Sequence, residues 1–157
     1  MKQIPISKPF LDYNDRKNLI QTFDSSWISS NGKNIQIFEK NFSKYTGAKY
    51  SLTCSNGTIA IELSLRALGI KKNDQVIVPN LTFAATINAI LNVGAIPVIL
   101  DIEKNSFNYN PLQLKKNINS NTFAIIFVHL FGIPLDIKKF NFINNKIKII
   151  EDCAESL

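Results

Sequence analysis

Histidine occurs once in this chain of 157 residues, and cysteine and arginine twice each. Two cysteines, Cys54 and Cys153, are too few for a disulfide scaffold. With His129 as the single histidine, no His/Cys set has metal-ligand spacing and Cys54 has no obvious basic partner, so no metal is expected. The formal charge is +6, yet sixteen of the eighteen basic residues are Lys, scattered along the chain. Nucleic-acid surfaces favour Arg forks with interleaved aromatics, so no nucleic-acid partner is expected. Long apolar runs are also missing. Ile87–Leu100 is broken by Asn88, Asn92 and Pro97, and Phe123–Leu135 by His129 and Pro134, so neither reaches the ~18 residues of a membrane span. The opening MKQIPISKPFLD has no apolar core of a secretion signal. No membrane association and a cytoplasmic location are the expectations.

What is present is a globular composition, 45% hydrophobic and 19% charged, of a length that suits one domain or part of one. After an irregular segment over 1–12, two helices are predicted, over 13–25 and Ile35–Tyr45, joined by the polar loop Trp27–Gly32, with Gly47 as the stop of the second. Short apolar runs suited to buried parallel strands follow: Tyr50–Cys54, Gln75–Val78, Ile96–Leu100, Phe123–Val128 and Lys148–Ile150. Helical patterns lie between them at Thr58–Leu68, Ala84–Val93, Pro111–Lys116 and Ile137–Ile143. This alternation predicts an α/β fold, a mostly parallel sheet with helices on both faces. The chain ends in an unfinished strand-to-helix turn, which points to a truncated domain.

Three segments at strand ends could carry chemistry. Ser55-Asn56-Gly57-Thr58 precedes a helix, where free N–H groups and the positive dipole end can hold a phosphate; it also reads as an ordinary capped turn. It matches neither a Walker loop nor GxGxxG. Phe83, in PNLTFAAT, could stack on a flat ring or simply fill the core. In IIEDCAESL, Asp152 could pair with a ring N–H⁺, or Asp152 and Glu155 could form a helix capping box. Cys153 reads as a small buried filler, and His129, in VHLFG, reads equally as core or site.

A phosphate-holding turn, a stacking aromatic and a ring-facing acid at successive strand ends are what a pyridoxal phosphate site needs. On WISSNG (27–32), TCSNGTIAIELSLRALGI (53–70), DQVIVPNLTFAATINAILNVGAIPVILDI (74–102), VHLFGIPLDI (128–137) and IIEDCAESL (149–157), the chain resembles the sugar aminotransferases of the DegT/DnrJ/EryC1/StrS family. These are fold-type-I pyridoxal phosphate enzymes. The resemblance implies that residues 1–157 form the N-terminal part of the cofactor-binding large domain, without the C-terminal small domain. It implies cofactor contacts from Gly57 and Thr58 to the phosphate, Phe83 to the ring face, Asp152 to the pyridine nitrogen and Glu155 to the ring-hydroxyl side. Trp27, Ser29, Ser30 and Asn31 would line the substrate side. The family's Schiff-base Lys would lie beyond Leu157, leaving no catalytic residue in this chain and little activity or cofactor affinity on its own. The implied function is transfer of an amino group, with glutamate as donor, to a nucleotide-linked keto-deoxysugar, as a homodimer, in surface polysaccharide or amino-sugar synthesis. A same-family sugar dehydratase and a non-catalytic binding or regulatory fragment remain alternatives.

Overall fold

The computed structural model describes Pro5, residues 8–104 and residues 106–156. The expected irregular opening holds over 8–12, and the remainder of that expectation, Pro5 aside, lies outside the described residues. The chain forms two compact units divided after Thr53.

The first unit contains helices α1 (Tyr13–Asp24) and α2 (Lys33–Thr46). Asp12 starts α1 through a capping box: its carboxylate accepts from the Asn14 and Asp15 N–H groups while Asp15 accepts from the Asp12 N–H. Gly47 ends α2 at φ 73, a left-handed conformation that costs glycine little. Tyr50–Cys54, expected as a strand, is not one. A strand needs a ladder partner, and here the polar groups go to a helix instead. The Thr53 N–H and hydroxyl donate to Glu39 Oε1 at 2.8 and 2.9 Å, and the Ser51 hydroxyl donates to the Glu39 carbonyl at 2.5 Å. Tyr50 and Leu52 are exposed as a result.

The second unit is a parallel sheet in the order β2-β1-β3-β4, from β1 (Gln75–Pro79), β2 (Ile96–Leu100), β3 (Thr122–Val128) and β4 (Lys148–Asp152). Helices α3 (Gly57–Ala67), α4 (Ala84–Asn92) and α5 (Pro111–Asn117) complete it. The segment expected as a helix over Ile137–Ile143 is a single 3₁₀ turn, Ile137–Phe140, begun by the Asp136 side chain.

Side chains alternate across the sheet, and both faces are covered. Val76, Val78, Ala124, Ile126 and Ile150 meet Ile61 and Leu65 of α3 and Ala89 and Ile90 of α4. On the opposite face Ile77, Ile125 and Phe127 meet Leu114 of α5, Tyr109 and Phe140. Burying each of these large side chains contributes about 1.5–3 kcal/mol, so the central strand β3, buried along nearly its whole length, anchors the unit. Tyr109 also donates its hydroxyl to the Ile126 carbonyl at 2.7 Å, and burial pushes its phenol well above the ordinary value.

Candidate active site at the carboxyl edge of the sheet

All four strands run the same way, so their carboxyl ends form one edge. Helix α3 leads into the amino end of β1, and α4 into the amino end of β2. The two helices pack against each other, so they lie parallel with their first turns side by side at the carboxyl edge. The sequence-predicted residues Gly57, Thr58 and Phe83 thus occupy neighbouring helix starts, and Asp152 and Glu155 lie at the end of β4.

At the start of α3, Asn56 Oδ1 accepts from the Ile59 N–H at 3.0 Å, and the Asn56 carbonyl accepts from Ala60. Among the described residues, nothing accepts from the Gly57 and Thr58 N–H groups, which leaves the outermost donors available to an anion. Gly57 has helical geometry, and a Cβ there would meet nothing within 4 Å. Neither backbone conformation nor packing in the chain requires glycine, so the space above it is open to a ligand.

Phe83 is the N-cap of α4, four positions beyond the end of β1, and the residue is 80% exposed. It is not a core residue. One turn on, Thr86 is fully buried. Its hydroxyl donates to Asp152 Oδ2 at 3.0 Å, and Thr82 Oγ1 lies 2.8 Å from Thr86 Oγ1. This ties the α4 start that carries Phe83 to the half-buried carboxylate of Asp152. Asp152 Oδ1 accepts from the Ala154 N–H at 3.2 Å.

Glu155 forms no capping box with Asp152. Its Oε2 accepts the Phe131 N–H at 2.8 Å, clamping the loop after β3, where Phe131 has φ 54, onto the loop after β4. His129 resolves as a framework residue. Its Nδ1 accepts the Leu135 N–H at 2.9 Å, so the ring proton sits on Nε2 and is donated to Glu151 Oε2 at 3.0 Å. Its backbone N–H also donates to the Asp152 carbonyl at 3.0 Å.

The side chains of His129, Glu151 and Cys153 come within 4.8 Å of one another, a grouping the sequence analysis did not anticipate. The pairing of Val128 with Asp152 creates it, and no short-range motif shows that register. The donor set suits a cation poorly, because the nitrogen facing Glu151 carries the proton. Burial, and then the charges of Glu151 and Asp152, raise the Cys153 thiol above its usual value.

Trp27, Ser29, Ser30 and Asn31 lie in the first unit, between α1 and α2. Trp27 and Asn31 border an open hollow of about 1290 Å³ with Leu19, Phe38 and Phe42. Lys33 and Tyr45 are its titratable neighbours among the described residues, and no carboxylate, His or Cys borders it.

Residues 9–157 match the model of the DegT/DnrJ/EryC1/StrS aminotransferase family. The chain is similar to GDP-perosamine synthase of Vibrio cholerae, 41% identical over 156 residues that cover 98% of this chain and 42% of the relative. It superposes on the aminotransferase of Psychrobacter cryohalolentis with TM-score 0.89 and 30% identity, covering 98% of this chain and 40% of that one. It also superposes on E. coli GDP-4-keto-6-deoxy-D-mannose-3-dehydratase with bound hydrated PLP, with TM-score 0.90, 27% identity and 99% and 42% coverage. The chain spans about two-fifths of the length of these relatives. Among the described residues, no helix is long and apolar enough to cross a membrane.

Proposed function

The chain belongs to the DegT/DnrJ/EryC1/StrS aminotransferase family, and from that premise we propose that it supplies the N-terminal part of a pyridoxal phosphate site in a nucleotide-sugar aminotransferase. The proposed reaction moves an amino group from an amino-acid donor, glutamate, to a keto group on a nucleotide-linked deoxysugar. The observation that carries this reading is the meeting of an exposed aromatic, two free N–H groups and a tethered carboxylate at one sheet edge.

The residues fit the cofactor. The Gly57 and Thr58 N–H groups bind the phosphate at the positive end of α3, in the space a Cβ would take. Phe83 supplies a face for the ring. Asp152 is held with lone pairs to spare and keeps a ring N–H⁺ protonated. Glu155, through its hold on Phe131, fixes the loop beside the ring-hydroxyl side. When bound, pyridoxal phosphate serves as the electron sink for proton removal next to the amine. The reading places the cofactor-linking Lys outside residues 1–157, assigns Trp27, Ser29, Ser30 and Asn31 to the substrate side, and takes the whole enzyme to be a cytoplasmic homodimer.

The test is a fusion of residues 1–157 to the remaining three-fifths of the Vibrio cholerae relative, given ¹⁵N-glutamate and GDP-4-keto-6-deoxymannose. Transfer of ¹⁵N to the sugar supports the proposal. A folded, cofactor-loaded fusion that transfers no ¹⁵N counts against the proposal and supports a binding module.

A further inference from the structure

Thr86 does not make the back-bond that several helical hydroxyls of this chain make. Thr22, Thr46 and Ser64 each donate to the carbonyl four residues back, at 2.8, 2.9 and 2.8 Å. Thr86 sends its proton out of the helix to a carboxylate 66 positions later in the chain. The side chain is fully buried beside Ala89 and Ile90, where a valine of the same shape would pack without a polar group to satisfy. The core therefore does not need this hydroxyl.

The direction of the bonds follows from their ends. An ionised carboxylate only accepts, so the single Thr86 proton is committed to Asp152 Oδ2. Thr86 must then accept from Thr82, whose hydroxyl lies 2.8 Å away. The terminal torsion of an aspartate is broad when nothing holds it. Here Oδ2 is held by Thr86 and Oδ1 by the Ala154 N–H. We propose that Thr86 is a positioning residue, polarised by Thr82, that aims the Asp152 carboxylate at the ring nitrogen of the bound cofactor. This rests on the reading of the carboxyl edge as a pyridoxal phosphate site.

The test measures binding of pyridoxamine 5′-phosphate, which does not condense with the chain's lysines, and of its analogue with CH in place of the ring nitrogen. The parent chain should prefer the nitrogen compound by at least about tenfold, the size of one charge-assisted bond. Thr86→Val should bring that ratio to within about twofold of unity and leave affinity for the CH analogue unchanged, since a purely structural role would weaken both ligands alike. Thr86→Ser should restore the ratio. If Thr86→Val does not fold, the half-buried Thr82→Val carries the same test with a partial loss, about threefold. A parent that prefers nitrogen and a Thr86→Val variant that prefers it equally would overturn the positioning role and leave the site reading intact. Loss of the ratio in Thr86→Ser would overturn the hydroxyl's part. A parent without preference would overturn the site reading and the proposal together.

Discussion

Replacing Gly57 with alanine separates folding from binding at one atom. The added Cβ meets nothing within 4 Å, and the backbone there is helical. Alanine is the better helix former, by up to about 0.5–1 kcal/mol in a helix interior and less in a first turn. The variant should therefore fold as stably as the parent or slightly more so. The same methyl group fills the space beside the Gly57 and Thr58 N–H groups, where the phosphate is placed. Displacing the phosphate from one charged hydrogen bond costs about 1.5–3 kcal/mol, a loss of roughly ten- to a hundredfold in affinity. Urea denaturation without ligand and calorimetric titration with pyridoxamine 5′-phosphate give the two numbers. A destabilised variant would show that packing requires this glycine. A stable variant with parental affinity would show that the phosphate does not approach here.

Phe127 is fully buried against Tyr109 and Phe140, at ring separations of 5.5 and 5.0 Å. Phe127→Ala should cost about 3–5 kcal/mol by chemical denaturation, enough to unfold a domain of ordinary stability. The Thr53 N–H and then its hydroxyl hold the Glu39 carboxyl below its usual value. The folded group thus binds its proton less readily than the unfolded one, so this contribution is present above about pH 4.3 and is lost as pH falls through the lower folded value. Thr53→Val removes the hydroxyl and keeps the N–H, so it should make the acid limb of the stability profile shallower without abolishing it, followed by circular dichroism. Cys54 is exposed, whereas the Cys153 thiol is half-buried and raised, so iodoacetamide at neutral pH should label Cys54 well before Cys153, read by peptide mass spectrometry.

The α/β alternation was legible because β1 and β3 are short continuous apolar runs, buried on both faces, and the helices between them carry one-sided apolar patterns, with Gly, Pro and Asn in the turns. Phe83 and Asp152 stood out because each lies at or just beyond the end of an apolar run that is a strand, and Gly57 because it follows the run Tyr50–Cys54, which has strand composition without forming a strand. Tyr50–Cys54 has strand composition, but strand formation is decided by a partner, and Glu39 satisfies its polar groups instead. Thr86, the Glu155–Phe131 clamp and the His129–Glu151 pair were not legible. Each depends on the β3–β4 register or on contacts between residues 22 to 66 positions apart, which no local spacing encodes.

The most direct measurement is a crystal structure of the chain with pyridoxamine 5′-phosphate. It should show the phosphate on the Gly57 and Thr58 N–H groups, the ring lying on Phe83, and the ring nitrogen about 2.7–3.0 Å from an Asp152 oxygen. A cofactor bound elsewhere, or bound at this edge with its ring nitrogen turned away from Asp152, would contradict the account.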